Sequence, residues 1–478
     1  MTEPNEAARQ HGRATLAISC VATLLVLVNY TAPISTVGVI SAQLHASPAG
    51  STWILGSISL GLAAFLLVAG ALADGYGRRR VFCYGGALLV LSSILCALAP
   101  DTLVFVVGRV VQGGASAAIL AASLGLLGHV FPPGPARARA TGLWGAMVGG
   151  GIAIGPLFTS GLIRVTGWPL AYWLIALVAA ALTVWGAVGL GESRSPNRRR
   201  LDLPGVLTLG AGIAFLVAAL TQGRSGWGQP DVIVFLVVAV VLLAGFVVVE
   251  ARGSAPMLDL GLLRRPAFVA ATVGAFATGV SVIAFMTYVP TEAQRVLGLS
   301  PLGSAGLLAV WSGLSFVVAP QARRLVHVIG PRHQIALGLA VCGIGEIAAV
   351  GISPASSWWQ FVPGLAIAGI GSGFVNAALA GLAVHSVPAD RVAMGSGANN
   401  TARYLGSSVG VALLAAIVAL APAQHGAAAA FGTGMTYAAL TAGVLAVLGA
   451  LLVMLCRERP ESVTAEGAVP GAKAYRAV

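Results

Sequence analysis

Long apolar runs separated by short polar turns account for almost the whole chain. They cover 14–40, 52–73, 81–98, 103–126, 140–163 and 170–190, then 204–220 and 232–249, then 268–289, 304–326, 334–352, 359–384, 401–420 and 431–455. A helix needs roughly 20 apolar residues to cross about 30 Å of hydrocarbon, so the pattern predicts about fourteen spans. The polar breaks carry a second pattern. Arginines crowd alternate loops (Arg78 to Arg80, Arg137, Arg139, Arg194, Arg252, Arg264, Arg332), and the loops between hold only Arg164, Arg224 and Arg295. Arginine-rich short loops mark the cytoplasmic side, which predicts an even number of spans with both termini cytoplasmic.

Composition narrows the class. With 57% hydrophobic and 9% charged residues, a soluble chain of this length could not hide its apolar surface, which leaves a polytopic membrane protein. The net charge of +12 does not point to a nucleic-acid partner, because the arginines sit between apolar runs instead of forming a patch. Cys20, Cys83, Cys96, Cys342 and Cys456 have no paired spacing and read as free thiols. The dispersed histidines form no metal signature, so no metal and no cofactor is expected. The only lysine is Lys473, which excludes a Walker loop and ATP-driven export by this chain alone. Residues 1–13 carry no signal-peptide pattern and read as a cytoplasmic tail, as do 457–478.

The chain also repeats itself. Phe105…Gly108…Gly113…His129…Pro132 returns as Phe361…Gly364…Gly369…His385…Pro388, displaced by 256 residues. The hairpin Leu72-Ala73-Asp74-Gly75-Tyr76-Gly77-Arg78-Arg79 aligns with Leu325-Val326-His327-Val328-Ile329-Gly330-Pro331-Arg332. Two six-helix units, 14–190 and 268–456, with a helix pair and its linkers inserted at 191–267, produce this displacement. Parallel repeats of this kind build transporters around a midplane cavity.

The stretch from Gly70 to Arg79 resembles the loop motif (G-x-L-a-D-r-x-G-r-r) of the major facilitator superfamily, and the chain is similar to its fourteen-span drug:proton antiporters. The resemblance implies an all-α integral membrane protein of two six-helix bundles plus two inserted helices. It gives Gly70, Asp74, Gly77, Arg78 and Arg79 the role of a cytoplasmic latch between bundles; a solvated loop is the alternative. Arg109-x-x-Gln112-Gly113 resembles the second motif, whose arginine is implicated in proton coupling. Arginine within a span costs about 2.5–3.5 kcal/mol, so it requires a partner or cavity, or else it snorkels to an interface. Gly142, Gly151, Gly155 and Pro156 match the antiporter motif of the fifth span, a close-packed seam between bundles. Its usual terminal glycine pair is Thr159-Ser160. Asn29 and Pro33 align with the first-span motif, and Trp53 with the second span's tryptophan, so Asn29 and Trp53 are expected at the substrate cavity, but the usual first-span acid is Leu24.

Two other acids attract attention. Glu346, deep in 334–352, is a proton carrier or a carboxyl hydrogen-bonded to a neighbouring helix. Glu292 is a gate residue or a solvated helix end. Asn376, Asn399, Asn400 and Arg403 line the cavity or bond between helices. The expected protein is therefore a monomeric inner-membrane exporter of small amphipathic molecules, exchanging them for protons, with Leu24 favouring neutral or anionic substrates. An uncoupled facilitator and a non-transporting sensor are the alternatives, and no enzyme chemistry is expected.

Overall fold

In the computed structural model, residues 3–195, 202–224, 226–253, 260–351, 356–421 and 427–456 are described. The helices are α1 (Glu3–Thr31), the short α2 (Val37–Gln43), α3 (Pro48–Tyr76), α4 (Arg78–Ala97), α5 (Thr102–Val130), α6 (Pro135–Ile163) and α7 (Pro169–Gly189). After these come α8 (Leu203–Gly223), α9 (Pro230–Arg252), α10 (Pro266–Ala277), α11 (Ala284–Arg295), α12 (Pro301–Ile347), α13 (Phe361–His385), α14 (Val392–Ala419) and α15 (Ala427–Leu455). Local chemistry sets many of the starts. Ser47, Asp101, Asp202 and Ser300 each accept the amide of the residue three positions on, capping a group the helix itself leaves unpaired. Proline opens α3, α6, α7, α9, α10 and α12, where its missing N–H costs nothing.

Thirteen helices among the described residues are long and apolar enough to cross a membrane. The remaining predicted pass, 334–352, begins in the second arm of α12, which ends at Ile347. Gly330 breaks that helix with φ 73° and ψ 159°. Trp311 Nε1 donates to Ser372 Oγ at 2.8 Å, and Cys342 Sγ lies 3.5 Å from the same oxygen. On one straight helix those two residues would stand roughly 45 Å apart at 1.5 Å per residue. The chain therefore doubles back at Gly330, giving two passes. Its counterpart in the repeat, Gly77, also has positive φ (123°), a backbone region open to glycine without a Cβ penalty. The first predicted run, 14–40, is also corrected: α1 stops at Thr31, and Pro33, which has no N–H to continue it, lies in the turn before α2.

Packing places α1 and α3–α7 against one another and α10–α15 against one another. The two groups meet where α6 touches α12 and α13, and where α3 and α5 touch α14. Helix α8 lies on α3 and α14 with α9 behind it. Helix α9 has a mean hydropathy of 3.5 over a window only 17% buried, so lipid must solvate most of it. Between α10 and α11 the span passes through a π-helical turn, Thr278–Ile283.

Candidate functional site

The acid and the first arginine of the hairpin between α3 and α4 are buried. Asp74 is 5% and Arg78 1% exposed, so for this pair the alternative of a solvated loop does not hold. Arg78 donates to Asp74 Oδ1 from Nε at 3.0 Å and from Nη2 at 2.7 Å. The same carboxylate accepts the Ala393 and Met394 amides at 3.2 and 2.8 Å. Those amides belong to the first turn of α14, where a helix leaves its N–H groups free and presents partial positive charge. Gly70 makes the approach feasible: a Cβ there would overlap the Ala393 carbonyl. A strap from beyond α7 reinforces the corner, since the Arg78 amide donates to the Ser193 carbonyl and the Ser195 amide to the Asp74 carbonyl. The Arg79 amide donates to Glu192. Gly77 supplies the reversal. His327, the second-repeat counterpart of Asp74, has a side chain outside the described residues, as does Glu292.

Arg109 is fully buried and points neither to lipid nor to an interface. Its Nη1 donates to the Asn29 carbonyl and Oδ1 and to Gln112 Oε1, and its Nη2 to the Tyr30 carbonyl, all at 2.8–3.2 Å. Gln112 passes the network on to Ser93 at 2.9 Å. The guanidinium also lies 6.0 Å from the Tyr172 ring centre. Helices α1, α4, α5 and α7 thus converge on one cation that no carboxylate among the described residues touches.

The glycines of α6 divide into two stripes. Gly151 and Gly155 face the α1 backbone at Leu24 and Val28, which corrects their expected place at the seam between the two helix groups. That seam runs instead through Gly142, which faces Ala319, Gly145, which meets the Asn376 carbonyl, and Gly149, which meets Ser312 and Phe316. The division follows from helix geometry. Positions 142, 145 and 149 share one face, and 151 and 155 lie on another. Pro156, within the helix, cannot donate to the carbonyl four residues back. Gly145 and Gly149 stand in plain view in the run Gly145…Gly149-Gly150-Gly151, but without a template they read as ordinary packing.

Three cavities lie between the groups: a vestibule at the end away from Asp74, a small intermediate one lined by Tyr30, Gly56, Ser407 and Ser408 among others, and one at the centre. A vestibule of about 820 Å³ is lined by Ser51, Thr52, Leu55, Arg224, Tyr288, Thr291 and the last turns of α14, among others. Deeper in, a cavity of about 20 Å³ is lined by Gly149, Ile152, Trp311, Ser312, Asn376 and Arg403, among others. That volume holds little more than one water. Of the polar residues proposed for the cavity, Asn376 and Arg403 line it. Trp53 instead donates to Gln222 of α8 at 2.9 Å, Asn399 to the Ala271 carbonyl, and Asn400 to its own helix at Ser396; Asn29 serves Arg109. Trp53 and Asn29 thus make structural bonds instead of lining this cavity, Asn29 as the acceptor for Arg109, and Asn399 takes the alternative of a bond between helices. Glu346, 1% exposed, accepts from Ser281 Oγ at 2.9 Å. Ser281 sits in the π-helical turn, and no pattern in the sequence announces that partner.

A many-pass helical bundle with a polar cleft between two repeated helix groups defines a membrane transporter rather than an enzyme. The Major Facilitator Superfamily model matches residues 19–411, and the chain belongs to that family. It is 33% identical over 371 residues to the multidrug resistance protein Stp of Mycobacterium tuberculosis, covering 77% of this chain and 69% of that one. It is 30% identical to the puromycin resistance protein pur8 of Streptomyces alboniger, covering 95% and 93%. Identity to the tetracenomycin C resistance and export protein of Streptomyces glaucescens is 29%, over 85% and 76%. Among solved structures, the human organic anion transporter MFSD10 matches the fold with a TM-score of 0.66 at 15% identity, covering 92% and 99% of the two chains.

Proposed function

We propose that this protein is a secondary exporter of small amphipathic molecules that works by alternating access and proton antiport. One observation carries the reading: the Asp74 carboxylate ties α3 to the start of α14 on one face, while the vestibule opens between the same helix groups on the other. That arrangement is one end state of a rocking carrier. The arginine-rich loops support a cytoplasmic position for the latched face and for both termini, and the reading is of an inner-membrane protein. The names of the relatives, which concern multidrug, puromycin and tetracenomycin C resistance, support export as the direction. Gly142, Gly145 and Gly149 provide the surface on which the groups pivot.

For the proton step, Arg109 holds the conformation-sensitive network, and Glu346 with Ser281 is the carboxyl available to take up and release a proton. The test uses proteoliposomes enclosing a pH-sensitive dye. Adding a transported substrate to the wild type acidifies or alkalinises the lumen with the sign of antiport, and Glu346→Gln or Arg109→Ala abolishes the coupled pH change. Substrate movement with no pH change rejects antiport. Normal coupling in both variants rejects the roles assigned to them.

A further inference from the structure

The buried charges of this protein are almost all spoken for. Asp74 has Arg78 and two amides, Arg137 donates to the carbonyls of Gly128 and Phe131, and Arg109 has four acceptors. Arg403 is the exception. It is 7% exposed, and among the described residues no hydrogen bond or ion pair reaches its guanidinium. It lines the small central cavity with Ser312 and Asn376, whose Oγ and Oδ1 are also buried without partners. Ile152, Val282, Met286 and Trp311 supply the apolar wall. No Asp or Glu among the described residues lines this cavity, the vestibule, or the small cavity between them.

The α14 backbone that carries Arg403 is packed tightly against its neighbours. Gly279 and Gly406 let the π-helical turn and α10 press against the α14 backbone, where a Cβ on Gly279 would overlap the Arg403 carbonyl itself. Along α14, successive turns face successive chambers: Arg403 the centre, Ser407, Ser408 and Val411 the intermediate cavity, Ala415, Val418 and Ala419 the vestibule. A desolvated cation without a counter-charge is a costly thing to keep inside a membrane protein. It becomes favourable when an anion arrives, because a charge-assisted, bidentate pair forms in a water-poor cleft.

We infer that Arg403 is the anchor for an anionic group, a carboxylate or phenolate, on an otherwise apolar, ring-bearing substrate, with Ser312 and Asn376 contacting its neighbouring polar atoms. This rests on the export reading above and names the chemistry of its cargo. The cavity is too small for such a molecule in the present state, so the site is filled when the Asp74 face opens and is emptied through the vestibule. Bound anion neutralises Arg403 as the cleft closes around it.

Three probes with one ring system test this: anthracene-9-carboxylate, its primary amide, and 9-(aminomethyl)anthracene. Binding to purified protein is followed by energy transfer from tryptophan, and uptake is followed in everted membrane vesicles. The wild type binds the carboxylate roughly tenfold or more tighter than the amide, as expected for a hydrogen bond to a charged group. Arg403→Gln removes that preference without changing amide binding, and Arg403→Lys keeps part of it. Equal or tighter binding of the amine by the wild type overturns the proposal. So does a preference that survives in Arg403→Gln, a uniform loss for all three probes, or no binding of any. The two readings fail separately. Vesicles that accumulate only the amide or amine leave export standing and remove the anionic site; Arg403-dependent carboxylate binding without accumulation does the reverse.

Discussion

The Asp74 carboxylate takes four hydrogen bonds, two from Arg78 and two from the first turn of α14. Asparagine there keeps the shape but loses the charge and one acceptor oxygen. Each hydrogen bond to a charged group is worth about 1.5–3 kcal/mol, so Asp74→Asn shifts the balance of end states away from the latched one by roughly ten- to a hundredfold. The measurement is the labelling rate of Ser51→Cys in the vestibule by an impermeant maleimide, which falls when the latch is weakened. An unchanged rate would show that the latch does not set the balance. Arg109 and Arg403 were legible in the sequence because a charge inside an apolar run has to be explained, and Asp74 because it sits in a recognisable loop motif. The partners of Asp74 and Arg109 were not. Main-chain groups of Asn29, Tyr30, Ala393 and Met394 do much of the bonding, and a backbone carbonyl or amide leaves no mark in residue identity. Trp53 misled for the opposite reason, since an indole suits a cavity wall and a hydrogen bond to Gln222 equally well.

At the scale of elements, α6 and α12 show what hydrophobic periodicity does and does not convey. Span positions were legible because apolar length is a strong signal. Where two spans fuse into one helix, as at Gly330, or where one breaks early, as at Pro33, the reading depends on a single backbone conformation. Which neighbour each glycine face meets depends on tertiary packing and cannot be read from spacing alone. The two stripes of α6 therefore make separable predictions. At Gly149 a Cβ would lie 2.9 Å from the Phe316 nitrogen and 3.0 Å from the Ser312 carbonyl, so Gly149→Ala pries α12 away and slows export. At Gly142 the nearest atom is 3.9 Å away, so Gly142→Ala exports like the wild type. Gly151→Ala crowds the α1 backbone and costs about 1–3 kcal/mol, read as a lower melting temperature in detergent. Equal transport by the Gly149 and Gly142 variants would remove α6 from the moving seam.

At the scale of the whole molecule, α14 connects everything that matters. Its first turn is gripped by Asp74, its middle presents Arg403 to the centre, and its last turns wall the vestibule. In the alternating-access reading proposed above, α14 works as a rigid lever and each gate becomes a handle on the other. A compound that wedges the vestibule open would hold the inner gate shut and stop the pump from outside, without ever entering the cell. A bulky impermeant maleimide on Ser51→Cys would act as that wedge: export should cease when the reagent is added on the outer side and continue when it is confined to the inner side.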